Sequence, residues 1–273
     1  MTRDDAGRLL SKVPQATLVF WLVKICATTV GETGGDAMSM SLGLGYAVST
    51  LIFLGFFAVA LTAQLLATRH HAWIYWLVVV ATTTVGTTTS DFLDRTAGLG
   101  YALSTALELA AVIGMLIIWR LATGRIAVDH ITDRRNEAFY WVTILVSNTL
   151  GTALGDFTSD SVPDLMVKLT HTPDGSWDAW GFELGAVLFA VLILIVAALH
   201  YLRALPQAIL FWAAYVLTRP LGATLGDTLT KPLAQGGLNL DRFAATGAIA
   251  LAMVAILLAS HWAGRPKPGE VAV

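Results

Sequence analysis

Four ungapped segments open on tryptophan and close on aspartate: WLVKICATTVGETGGD (21–36), WLVVVATTTVGTTTSD (76–91), WVTILVSNTLGTALGD (141–156) and WAAYVLTRPLGATLGD (212–227). In each, Gly follows the Trp by ten positions and Asp by fifteen, and the residue before the Asp is small (Gly35, Ser90, Gly155, Gly226). Asp36, Asp91, Asp156 and Asp227 are therefore equivalent positions of one repeated unit. Carboxylates gathered at a common level repel one another unless they share something positive. The chemistry they suggest is the binding of protons or of a hard cation that prefers oxygen ligands. Glu32 joins them as a fifth acidic ligand, and Thr28, Thr83 and Asn148 offer neutral oxygens about two turns earlier in the same segments. Lys24, Glu32, Glu108 and Arg219 have no charged counterparts in the other copies, so they break the fourfold pattern.

The elements that must position these residues follow from composition. Of the 273 residues, 56% are apolar and only 13% are charged, about half the charge of an ordinary soluble domain. With a mean hydropathy of +0.68, lipid is the expected surrounding. The net charge of −2 suggests no polycationic face for nucleic acid, and the single cysteine, Cys26, excludes a disulfide framework or a cysteine zinc cluster. Runs long enough to cross a bilayer occur eight times, at 14–36, 43–66, 73–90, 99–121, 138–156, 179–202, 206–227 and 242–262. The fold expected is all-α: a polytopic membrane protein of eight transmembrane helices built from four repeated helix pairs. It is read as one membrane domain over 1–273, with four-helix halves at about 14–121 and 138–262 joined by a cytoplasmic linker.

Orientation follows from the loops. Arg3, Arg8, Lys12, Arg69, Arg120, Arg125, Arg134, Arg135, Arg203, Arg265 and Lys267 fall on the side of the termini, against Arg95, Lys168, Lys231 and Arg242 opposite. That bias places both termini in the cytoplasm. A two-helix unit always re-enters the membrane in the same direction, so the copies should be related by rotation about the membrane normal. The four Asp then form a ring or two pairs near the outer helix ends.

Two readings compete for the repeated residues. In one, small-xxx-small spacing packs backbones together while Thr and Asp satisfy helix ends. In the other they line a path. A helical wheel puts Lys24, Thr28, Gly31, Glu32, Gly35 and Asp36 within an arc of roughly 160°, with Leu22, Val23, Cys26, Ala27 and Val30 opposite and expected toward lipid. Lys24, Glu32, Glu108 and Arg219 sit at membrane depth, where an ionised group costs on the order of 3 kcal/mol. Ion pairing of Lys24 or Arg219 with Glu32 or Glu108 would offset that. Pro220 is expected to break or kink the last repeat helix. Trp73, Tyr75, Trp76, Tyr140, Trp141, Trp177 and Trp180 read as interfacial anchors. The histidines, among them His130, form no i, i+4 ligand pair, and no nucleophile–base constellation stands out. A turn is expected at 172–175, around Asp174, inside the long connection 157–177.

The segments KVPQATLVFWLVKICATTVGETGGD and TTVGTTTSDFLDR resemble a family of bacterial multi-pass proteins known as uncharacterised membrane, or membrane-anchored, proteins. The likeness covers nearly all of the chain and runs through the fourfold Trp…Gly…Asp pattern; no activity comes with it. Glu32-Thr33-Gly34-Gly35-Asp36 is also similar to the Glu-x-Gly-Asp-Lys/Arg-Ser/Thr motif of transporters that move manganese or calcium. It has one residue more than that motif and lacks the basic and hydroxyl residues that follow.

The function expected is a proton-coupled secondary transporter, an exporter, for a divalent cation such as Mn²⁺, located in the bacterial inner membrane. Its metal ligands would be Glu32, Asp36, Asp91, Asp156 and Asp227, with Lys24, Thr28, Thr83, Glu108, Asn148 and Arg219 along the path. Apart from the transported ion no cofactor is expected, nor is enzymatic activity; a homodimer is compatible. The alternatives are an anion or small organic acid carrier using Lys24 and Arg219, and a non-transporting sensor or assembly factor.

Overall fold

The computed structural model describes residues 14, 16–67, 70–126, 131, 133–173, 175 and 177–263. Arg3, Arg8, Lys12, Arg69, Arg265 and Lys267 of the charge count, with His130 and Asp174, lie outside them. Among the described residues there is no strand, and eight α-helices follow in order: α1 (Leu18–Asp36), α2 (Gly45–Leu66), α3 (Ala72–Asp91), α4 (Gly100–Thr123), α5 (Arg134–Thr170), α6 (Gly181–Tyr201), α7 (Gln207–Thr230) and α8 (Arg242–Ala263). Local signals set several ends. The Thr17 hydroxyl accepts from the Phe20 N–H at 3.3 Å to start α1, and Asp133 accepts from the Asn136 N–H at 2.8 Å to start α5. Gly124, at φ 76°, closes α4. After their aspartates, α1 and α3 pass into π-helical turns, Ala37–Ser41 and Phe92–Thr96.

Two sequence expectations need correction. The span at 138–156 belongs to a helix of 37 residues that continues to Thr170, so most of the expected connection 157–177 is helix rather than loop. Asp160, Asp164 and Pro163 disguise it in a hydropathy reading. Pro220 does not interrupt α7, which runs unbroken from Gln207 to Thr230, held on both sides by α5 and α1.

The packing repeats one operation four times. The odd-numbered helices close a ring in which α1 touches α3 and α7, and α5 touches α3 and α7. Each even-numbered helix lies outside the ring against the next odd-numbered one: α2 on α3, α4 on α5, α6 on α7, and α8 on α1. The repeat explains why. A Cβ on Gly31 would fall on the Thr83 side chain, on Gly86 it would lie 2.8 Å from the Asn148 backbone, on Gly151 it would meet Arg219, and on Gly222 it would meet Thr28. The Gly of each copy thus receives the residue seven past the Trp of the next copy, and the fourth copy hands back to the first. One turn later Gly35 faces Thr87, Gly155 faces Ala223 and Gly226 faces Glu32, each at 3.0–3.1 Å from the would-be Cβ. Close backbone approach at small residues is how helices associate when lipid surrounds them.

The polarity is that of a membrane protein. Five helical segments are long and apolar enough to cross a bilayer: Gly45–Leu66, Gly100–Thr123, Asp178–Tyr201, Gln207–Thr230 and Arg242–Trp262. Leu51, Leu103, Leu194 and Leu251 of the peripheral helices face outward, while Thr and charged side chains of the ring are buried. The rear face of α1 departs from expectation: Leu22 is exposed, but Val23, Ala27 and Val30 are buried, because α8 covers that face. The expected aromatic anchors also divide. Trp73 and Trp180 are exposed and Trp177 is partly exposed, whereas Tyr75, Trp76, Tyr140 and Trp141 are buried inside the ring.

Candidate functional site

One end of the ring is closed by rings of another kind. Phe20, Tyr75, Tyr140 and Phe211, each the residue before a repeat Trp, are all buried. Tyr75 and Tyr140 share a hydrogen bond between their hydroxyls at 2.7 Å, and Phe20 packs on Trp76 and Phe211 with centroids 5.4 and 6.4 Å apart.

Lys24 stands just beyond this aromatic layer. It is fully buried, with Nζ 3.5 Å from the Asn148 side-chain oxygen and 4.2 Å from the centre of the Tyr215 ring. It forms no ion pair among the described residues. The next level holds Thr28, Thr83, Asn148 and Arg219, all with no exposed surface. Thr28 donates to the Thr218 carbonyl at 3.2 Å, Thr83 to the Ala27 carbonyl at 3.1 Å, and the Asn148 amide to Thr82 Oγ1 at 2.9 Å. These groups are spent on neighbouring helices, so at this level they tie the ring together.

Arg219 does something its counterparts cannot. Its side chain reaches one turn further, where the repeat positions are Glu32, Thr87, Thr152 and the small Ala223. There Nη2 bonds to Glu32 Oε2 at 2.9 Å, Thr152 Oγ1 at 2.7 Å and Thr87 Oγ1. Thr87 also donates to Glu32 Oε2 at 3.3 Å. One guanidinium nitrogen thus gathers three of the ring helices. Nε and Nη1 have no hydrogen-bond partner among the described residues.

At the next level all four repeat aspartates are buried, and they form two pairs, each bridged by one cation. Arg95 lies 3.4 Å from Asp91 and 3.2 Å from Asp156. Lys231 lies 2.7 Å from Asp36 and 3.1 Å from Asp227. Arg242 approaches Asp36 at 3.8 Å. Burial alone would lower Lys231, and likewise Arg95. Their carboxylates outweigh it, Asp227 and Asp36 for the lysine, Asp91 and Asp156 for the arginine, and hold both bases above their ordinary range. Above this level opens a cavity of about 530 Å³ lined by Arg95, Asp156, Asp160, Asp227, Lys231 and Arg242, among others.

The expected ligand pool is therefore divided. Glu32, Asp36 and Asp227 each present a carboxylate oxygen within 4.8 Å of the others, a spacing that a single hard cation can span. Asp91 and Asp156 stand apart from that group, drawn together by Arg95. Glu108 lies off the axis, where Ser104 donates to its Oε1 at 3.1 Å. Arg95 and Lys231 are the residues the sequence reading missed. Each follows a repeat Asp by four positions, which puts base and acid on the same helix face.

A family model for a Repeat of Unknown Function (DUF347) matches the chain four times, over residues 19–70, 74–125, 139–205 and 210–266. No curated protein and no solved structure matches it. The matched segments make up well over half of the chain, which belongs to this repeat family, and each spans most of one ring helix and the outer helix that follows it.

Proposed function

We propose that the chain is a secondary transporter for a divalent cation of the hard, oxygen-binding class, such as Mn²⁺, coupled to protons. The observation that carries this is the buried trio Glu32, Asp36 and Asp227, with oxygens within 4.8 Å of one another, of which Asp227 lines the cavity. The two cationic side chains that hold these carboxylates, Lys231 and Arg219, already stand where positive charge is wanted. An entering cation takes over that role, and the displaced ammonium turns toward the cavity. The balance of Lys and Arg between the two faces supports a carboxylate end open to the outside and cytoplasmic termini in a bacterial inner membrane. The aromatic layer is then the inner gate, and the direction is export.

Uptake of Mn²⁺ into proteoliposomes, followed with a fluorescent metal reporter with and without a pH gradient, tests the proposal. A flux that depends on the gradient and is lost in Glu32→Gln is expected. Absence of metal flux under either condition, in vesicles that contain folded protein, overturns it.

A second reading, an anion carrier, draws on Lys24, which is buried without a carboxylate partner among the described residues. Lys24→Met separates the two: it stops an anion path and leaves cation uptake running.

A further inference from the structure

A second set of buried oxygens lies away from the ring axis. The π-helical turn Phe92–Thr96 that follows α3 carries Asp94 inward, to where α4 presents Ser104 and Glu108. Asp94 and Glu108 are each only 5% exposed, and Ser90 and Ser104 not at all. The Ser104 hydroxyl donates to Glu108 Oε1 at 3.1 Å and also borders Asp94, while Ser90 borders Glu108. Both Asp94 oxygens, Glu108 Oε2 and Ser90 Oγ have no hydrogen-bond partner among the described residues. Neither carboxylate forms an ion pair there, since Arg95 is engaged by Asp91 and Asp156.

The first repeat supplies an internal comparison. In the same register it has Gly35, Ser39, Ser49 and Phe53. Phe53 packs against the hydrophobic core, and Ser39 is satisfied by the Gly35 carbonyl at 2.8 Å. The fold therefore does not require acids at these positions. Burying two carboxylates with three oxygens unbonded is costly without a compensating charge.

We propose that Ser90, Asp94, Ser104 and Glu108 form a second binding site for a divalent cation with hard oxygen ligands, separate from the axial trio. Two carboxylates neutralise such an ion, and two hydroxyls add to the shell of six to eight oxygens that such ions take. A cation there fastens the Phe92–Thr96 turn to α4, and with it the neighbouring Arg95 that bridges Asp91 and Asp156. The second site is thereby linked to the Asp91–Asp156 pair, which stands beside the axial trio and not in it.

Mn²⁺ bound per chain, counted by electron paramagnetic resonance on the purified full-length protein in detergent, tests the site. The D94N/E108Q variant should lose one ion that D36N/D227N retains. An equal Mn²⁺ count in D94N/E108Q and wild type overturns the proposal. If D36N/D227N loses no ion while D94N/E108Q does, the lateral site stands and the axial reading fails by itself. Should the double variant not fold, Glu108→Gln alone is read in the same way: affinity at least about tenfold weaker at one site is expected, and unchanged affinity at every site is the contrary result.

Discussion

Arg219 Nη2 lies 2.9 Å from Glu32 Oε2, a buried ion pair across the seam between the last helix of the ring and the first. Both residues are exceptions to the repeat. Arg219 stands where the other copies place Thr28, Thr83 and Asn148, and Glu32 where they place Thr87, Thr152 and Ala223. A symmetric ring of Thr at these levels would leave a narrow polar channel along its axis. One long basic side chain and one acid fill it, and do so at the seam where chain continuity cannot help closure.

Removing one partner of a buried pair leaves an uncompensated charge, which costs about 3–5 kcal/mol. Arg219→Met and Glu32→Gln should therefore each lower the apparent Tm in detergent. The double variant leaves no orphan charge, so it should be more stable than Arg219→Met alone. Purely additive losses in that double-mutant cycle would mean that the two side chains do not act as a pair.

The glycine interlock makes a prediction with its own control. Gly222→Ala puts a methyl group onto Thr28, and overpacking of this kind costs about 1–3 kcal/mol. Gly55 and Gly114, on the peripheral helices, have nothing within 4 Å of a would-be Cβ. There Ala should be neutral or stabilise by about 0.5–1 kcal/mol through helix propensity. Thermal melts of the three variants, measured side by side, check the ranking.

Much of this was legible in the sequence because the repeat is. Spacing of Trp, Gly and Asp implied the helix pair, its rotation about a common axis and aspartates gathered near one set of helix ends, as a ring or two pairs; their burial and their pairing came from the structure. What escaped was of two kinds. Tyr75, Trp76, Tyr140 and Trp141 lie at helix starts, and a position near a helix end does not say whether a ring faces lipid or the axis. Arg95 and Lys231 lie just beyond the apolar runs and so count as loop charges. Their spacing of four from a repeat Asp places them over it only if the backbone stays helical past that Asp, as it does in the π-turn after α3 and at the end of α7. The length of α5 was hidden for a related reason: beyond Asp156 charged and hydroxyl residues interrupt the apolar ones, although the backbone remains helical to Thr170.

Asp133 gives a dependence on pH with a definite sign. Hydrogen bonds from the Asn136 side chain and N–H hold its carboxyl below the usual aspartate range. A group lowered on folding stabilises above its unfolded value and loses that contribution as pH falls through its folded one. Asp133→Ala should then cost about 1 kcal/mol at neutral pH, as the loss of an N-cap does. Its difference from wild type should shrink once pH drops below the ordinary aspartate range. A difference in Tm that stays constant through that range would show the cap to be uncharged.

Lys231 offers the sharpest test of how the carboxylate trio is used. Its Nζ lies 2.7 Å from Asp36 and 3.1 Å from Asp227, so on the proposed mechanism it competes with the cation for the same oxygens. A ligand that binds only a minor, lysine-displaced state has its affinity reduced by the fraction of that state. Lys231→Met removes the competitor and keeps the stem volume. The apparent Kd for Mn²⁺ should fall, by about tenfold for each 1.4 kcal/mol that displacement costs. Transport should nevertheless slow, because nothing remains to expel the bound ion. Arg95→Met is the matched control: it frees Asp91 and Asp156, which lie outside the trio, and should leave the affinity near that of wild type. Equal Mn²⁺ affinity in Lys231→Met and the parent chain would show that the lysine is a structural bridge and not a resident counter-ion.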